Sequence, residues 1–149
     1  MVVLIVSLIL VSDRMTKAFF SHLLAAEGSI PVIKGFFHLT LVHNRGAAFG
    51  MLRGQTLFFI LASVIAVFFI LFHMKKSTAV EKYALSLILA GAAGNLIDRV
   101  LYGHVVDFID IHIDPYFYWP VFNVADTAIT VGACMLGWLL LRQAIPEKK

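Results

Sequence analysis

The chain has 149 residues, 60% of them hydrophobic and 14% charged, with a mean hydropathy of +0.90 and a formal net charge of +3. A water-soluble domain carries about 25% charged residues, so this composition excludes one and requires much of the surface to face lipid. The basic residues lie at the ends of apolar runs and form no patch, which argues against a nucleic-acid partner. Cys134 stands alone, which excludes an intrachain disulfide and a multi-cysteine metal site.

Four apolar runs read as membrane-spanning helices, at 2–24, 57–72, 83–101 and 121–141. Residues 2–11 of the first resemble the apolar core of a cleaved signal peptide. No basic residue precedes them, however, and Asp13, Arg14 and Lys17 interrupt the run, so a retained helix is expected. Segment 32–42 (VIKGFFHLTLV) is β-branched and aromatic and reads as a strand or hairpin on the membrane surface, holding Phe36 and Phe37. Segment 109–114 alternates Ile109, Ile111 and Ile113 with Asp110, His112 and Asp114. Tyr116 to Trp119 suit an interfacial aromatic belt, and Pro120 is expected to start the last helix. The expected fold is thus a membrane all-α protein with a small β element, one polytopic domain over 1–149.

Lys75, Lys76, Lys82, Arg142, Lys148 and Lys149 flank one side of these spans, and Lys34, Arg45 and Arg53 the other. That bias predicts cytoplasmic termini, with the two longer connections and the site they build on the outer face.

Three runs carry polar trios at helical spacing: Asp13, Thr16 and Lys17; Asn95, Asp98 and Arg99; Asn123, Asp126 and Thr127. Residues at i, i+3 and i+4 share a helix face, so each trio can point into the bundle. An ionisable residue at mid-helix costs about 2.5–3.5 kcal/mol on insertion scales. Such residues therefore either pair between helices or serve a function. Asp107 and Asp126 differ in having no basic residue between them in the sequence. Two carboxylates meeting in apolar surroundings would share a proton, the arrangement of an aspartic protease. Spacing alone leaves open a proton-relay transporter and a structural subunit. His104 and Asp107 lack a third metal ligand at fitting spacing, and no His-Glu-x-x-His is present, so a zinc site is not expected.

Five blocks then carry a resemblance: Asp13-Arg14-Met15-Thr16-Lys17, Asn44-Arg45-Gly46-Ala47-Ala48-Phe49-Gly50, Gly94-Asn95-Leu96-Ile97-Asp98-Arg99, Val105-Val106-Asp107-Phe108 and Phe122-Asn123-Val124-Ala125-Asp126. In this order the sequence resembles the lipoprotein signal peptidase (signal peptidase II) family of bacterial membrane aspartic proteases. The resemblance implies that Asp107 and Asp126 are catalytic. It implies that Asp13, Asn44, Asn95, Asp98, Arg99 and Asn123 support them; Lys17 and Gly46 lie in the same blocks. Arg99 is expected to brace Asp98 or loop carbonyls. It further implies a diacylglyceryl-modified prolipoprotein substrate cut just before the lipidated cysteine, no cofactor, inhibition by globomycin, and the bacterial inner membrane as location. Membrane lipids are the surroundings, and a monomer is expected. Arg14 departs from the family, which often has glutamine there.

Overall fold

The computed structural model describes residues 1–47, 51–113 and 115–144. The expectations attached to Ala48, Phe49, Gly50, Asp114, Lys148 and Lys149 lie outside the described residues. Four helices and a small sheet alternate along the chain: α1 Val2–Leu23, β1 Ser29–Ile33, β2 Phe37–Asn44, α2 Thr56–Met74, α3 Ala79–Tyr102, β3 Val105–Ile113, β4 Phe117–Tyr118 and α4 Val124–Ala144. The strands form one antiparallel sheet in the order β1-β2-β3-β4.

The central helix is α3, which packs against α1, α2 and α4. Small residues let it do so. A Cβ on Gly91 would collide with the Ala125 carbonyl oxygen, and one on Gly132 would lie 2.6 Å from the Ala84 carbonyl oxygen. Gly94 leaves room for the Asp13 carboxylate, whose Oδ2 would sit 2.7 Å from an added Cβ. Close backbone approach of this kind holds helices together in lipid, where no hydrophobic force drives them to associate. At one end of the bundle Met74, Leu85 and Leu89 gather Val2, Val6, Val67, Ile70 and Leu136 into an apolar plug. The buried Asp13, Lys17, Asn95, Asp98, Asp107 and Asn123 lie toward the other end, where the sheet begins.

Three helices, α2, α3 and α4, are long and apolar enough to cross a membrane. Helix α1 differs because Asp13, Arg14 and Lys17 sit within it, yet its remaining surface exposes Val3, Leu4, Leu8, Val11, Met15 and Phe19.

Strand β3 starts at Val105, ahead of the alternation at 109–114, and two helix starts differ from the sequence reading by several residues. Helix α3 begins four residues before 83, because Thr78 and Glu81 form a reciprocal capping box. Helix α4 does not start at Pro120. Phe122 still pairs with β3, its carbonyl accepting from Phe108 and Ile109 N–H groups at 3.0 and 2.8 Å, so the chain stays extended until Asn123. The strand or hairpin expected in 32–42 is a hairpin, β1–β2, which begins earlier, at Ser29, and turns through Gly35 at φ +74°. Strand β2 carries a bulge between Leu39 and Val42, and this register brings Val42 opposite Asp107.

Candidate active site

Asp107 and Asp126 reach the same place from different elements. Strand β3 carries Asp107 at its start, while Asp126 sits in the first turn of α4. Asn123 links them. Its Oδ1 accepts from the Asp126 N–H at 2.9 Å, and an Asp126 carboxylate oxygen accepts from the Asn123 N–H at 3.3 Å. This is a reciprocal helix cap. The Asn123 Nδ2 meanwhile donates to Asp107 Oδ1 at 2.7 Å, with Asn95 Oδ1 and the Val106 carbonyl each at 3.2 Å. The Asn123 side chain thus starts the helix and holds the Asp107 carboxylate, while its backbone N–H reaches that of Asp126.

Two further amides complete the cradle. Asn44 Nδ2 donates to Asp107 Oδ2 at 2.9 Å, while its Oδ1 accepts from the Gly46 N–H at 2.9 Å and closes the start of the loop. Asn95 Nδ2 donates to Asp126 Oδ1 at 2.7 Å. Among the described residues no cation makes an ion pair with either carboxylate. Asp107 is 1% exposed, and its carboxyl is pushed up to about 7, by burial first and by the Asp126 charge second.

Behind the cradle lies a charged layer. Lys17 Nζ is 2.9 Å from both Asp13 Oδ2 and Asp98 Oδ2 and donates to Asn95 Oδ1 at 3.0 Å. Asp13 Oδ1 accepts from the Ala125 N–H at 3.0 Å, tying α1 to the first turn of α4. Asp98 pairs with Arg14 and accepts from the Val106 N–H at 3.2 Å, tying α3 to β3. Arg14 also donates to the Tyr102 hydroxyl at 3.1 Å, so the residue that departs from the family pattern faces Asp98 and Tyr102. Arg99 does not reach Asp98. It donates to the Gly46 carbonyl at 3.4 Å and lies 5.0 Å from the centre of the Phe59 ring.

The ten residues singled out in the sequence are therefore gathered at one end of the bundle, in two layers. Asn44, Asn95 and Asn123 touch the two carboxylates; Asp13, Lys17 and Asp98 lie one step behind. Asp107 and Asp126 line a cavity of about 710 Å³ that α2, α3 and α4 enclose with Phe59, Ser63, Ala92 and Thr130. The sequence reading passed over α2 because its run is uniformly apolar. The small residues Ala62, Ser63 and Ala66, which share one side of that helix, are the signal that it lines a cavity.

A profile of the signal peptidase (SPase) II family matches residues 5–142. The chain belongs to the signal peptidase II family. It is 49% identical to a lipoprotein signal peptidase of Caldanaerobacter subterraneus subsp. tengcongensis, covering 95% of this chain and 96% of that protein. It is 42% identical to one of Halothermothrix orenii, covering 96% and 97%. A bacterial membrane enzyme solved by the in meso method at 2.3 Å resolution has the same fold, with a TM-score of 0.85 and 36% identity over 99% of this chain and 93% of that one. Signal peptidase II is thus the frame within which the cradle is to be read.

Proposed function

We propose that this protein is an intramembrane aspartic endopeptidase that removes signal peptides from diacylglyceryl-modified prolipoproteins, cutting just before the lipidated cysteine. The observation that carries the reading is the Asn123 clamp. It bonds the Asp107 carboxylate through its side chain and Asp126 through its side chain and backbone N–H, and both aspartates line one cavity with amides as their partners.

Charge counting supports a shared proton. Asp13 and Asp98 balance Lys17 and Arg14. That leaves Arg99 against the two carboxylates of the dyad, and the buried cluster is neutral when those two hold one proton between them. The singly protonated pair is the working form. The ionised carboxylate takes a proton from water as the water oxygen attacks the scissile carbonyl carbon, and the neutral carboxyl hydrogen-bonds the carbonyl oxygen. The tetrahedral intermediate then collapses, the C–N bond breaks, and the carboxyl proton passes to the leaving amine of the cysteine.

The substrate's apolar signal segment enters from lipid into the cavity between α2 and α4, while its acyl chains stay in the bilayer. Four spans with cytoplasmic termini put the dyad toward the outer face of the bacterial inner membrane. In this arrangement α1 is the fourth span, because its charges are neutralised inside the bundle and its apolar side chains point outward. The protein acts as a monomer, and a globomycin-type cyclic peptide occupies the same cavity.

Purified protein in detergent tests the reading with a diacylglyceryl-modified prolipoprotein, mass spectrometry locating the cut. Asp107→Asn and Asp126→Asn are each expected to lower turnover by at least about 10³-fold with folding retained. Robust turnover by either variant removes the dyad assignment.

A further inference from the structure

A second cavity, of about 320 Å³, lies against Asp107 on the loop side of the cradle. It shares Asn44, Gly46, Ala47, Asp107, Pro120 and Val121 with the first, so the two meet at the carboxylate. Their walls differ in kind. The larger is lined mostly by apolar and small side chains of three helices, with Asn95, Arg99 and Asp126 beside Asp107, whereas three basic side chains, His43, Arg45 and Arg53, line the smaller. Asp107 is the only carboxylate among the described residues of that lining, and the sequence has no Asp or Glu between Glu27 and Glu81.

The two arginines are held as neighbours by backbone. The Gly54 N–H donates to the Arg45 carbonyl and the Ala47 N–H to the Met51 carbonyl, both at 2.9 Å. Gly46 packs so tightly inside this turn that an added Cβ would stand 2.6 Å from the Met51 carbonyl oxygen. The His43 ring lies 4.4 Å from that of His104. Burial chiefly holds the His104 imidazole below its ordinary value, and the neighbouring His43 and Arg45 push it the same way.

From this juxtaposition we propose that the smaller cavity receives the first few residues after the scissile bond and that Arg45 and Arg53 select acidic side chains among them. The inference rests on the peptidase reading above. A chain lying across the dyad has its signal half in the apolar cavity, so its mature half leaves through the basic one. An extended chain advances about 3.3 Å per residue, which brings the side chains just beyond the cysteine to the arginines while the backbone stays at Asp107. The cavity opens onto Asp107, where the substrate chain already lies, and this favours a peptide side chain over a lipid phosphate as the anion the arginines meet.

The test uses three diacylglyceryl-modified prolipopeptides that differ only at the second to fourth positions after the cut, carrying Asp and Glu, Asn and Gln, or Lys. Wild-type protein in nanodiscs is expected to show kcat/KM about fivefold to tenfold higher for the acidic than for the neutral peptide, with the lysine peptide lowest, as two exposed charge pairs would give. That ratio shrinks toward one as salt is raised. The double variant Arg45→Gln/Arg53→Gln abolishes it. Arg45→Glu/Arg53→Glu inverts it in favour of the lysine peptide, a gain that misfolding cannot imitate. Equal rates on the three peptides, or a ratio that survives the double variant, overturns the proposal and leaves the peptidase reading standing. So does a rate that follows the phosphatidylglycerol content of the disc and ignores peptide charge, which would assign the cavity to headgroups. Failure to cut even the neutral peptide removes both readings together.

Discussion

Asn123 serves two neighbours through two different atoms, so substitution can separate its roles. A serine there keeps an oxygen that caps the Asp126 N–H but loses the donor to Asp107 Oδ1. Asn123→Ser is expected to lower kcat by about 10²-fold while thermal stability stays close to wild type. Asn123→Ala loses the cap as well and costs a further ~1 kcal/mol in thermal unfolding. Comparable stability loss in both variants would mean that the amide serves folding alone. Asp107 supplies a second measurement at this scale. Because burial and then the Asp126 charge raise its carboxyl to about 7, the proposed dyad is expected to give up its shared proton as the pH rises through that value. Turnover should therefore fall on the alkaline side with a midpoint near 7, since a doubly ionised pair has no proton to offer the carbonyl oxygen. In Asp126→Asn the charge contribution disappears while burial remains. The Asp107 carboxyl band in infrared spectra should then titrate at lower pH than in wild type, though still above an ordinary aspartate. An unmoved midpoint would show that the two carboxylates do not feel each other.

Among the elements, the α3–α4 contact depends on the absence of side chains. Gly91→Ala pushes a methyl into the Ala125 carbonyl and is expected to cost about 1–3 kcal/mol in unfolding. Gly137, on the same α4, has nothing within 4 Å of an added Cβ. Gly137→Ala should be neutral or stabilising by up to about 1 kcal/mol, because alanine is the better helix former. Equal effects at the two positions would remove the close-packing argument. These elements also show what the sequence carries. The apolar runs and the alternation of 32–42 announce helices and a hairpin, because periodicity is a local property. The capping pair Thr78 and Glu81 is equally local, and a search for apolar runs alone steps over it. Pro120 misleads for a tertiary reason: Phe122 remains bonded to β3, so the helix waits for Asn123. At the site, helical spacing puts Asp13 and Lys17 on one face but says nothing of what they meet. Lys17 reaching Asn95, Asp13 reaching Ala125 and Arg99 resting on Phe59 are contacts between distant segments, which only the folded chain brings together.

For the whole molecule, the bundle is divided along its length, with an apolar plug at one end and the buried charges at the other. Orientation in the bilayer can be read from the segments at those two ends. In a Cys134→Ser background, a cysteine replacing the exposed Tyr116 should react with a membrane-impermeant maleimide added outside intact cells. One replacing Lys76 should react only after the cells are opened. The opposite pattern would invert the proposed topology and place the dyad on the cytoplasmic side.

The bond from the Ala125 N–H to Asp13 joins groups 112 positions apart, the first helix to the last. Its consequence concerns timing. A ribosome delivers Asp13 early and Asp126 late, and the turn of α4 that presents Asp126 is fastened by that early carboxylate. On the proposed mechanism, a half-inserted chain holds Asp107 without its companion and cannot hydrolyse a peptide bond. Competence to cut would then arrive only when the closing helix docks, and the membrane would not be exposed to a partly built protease.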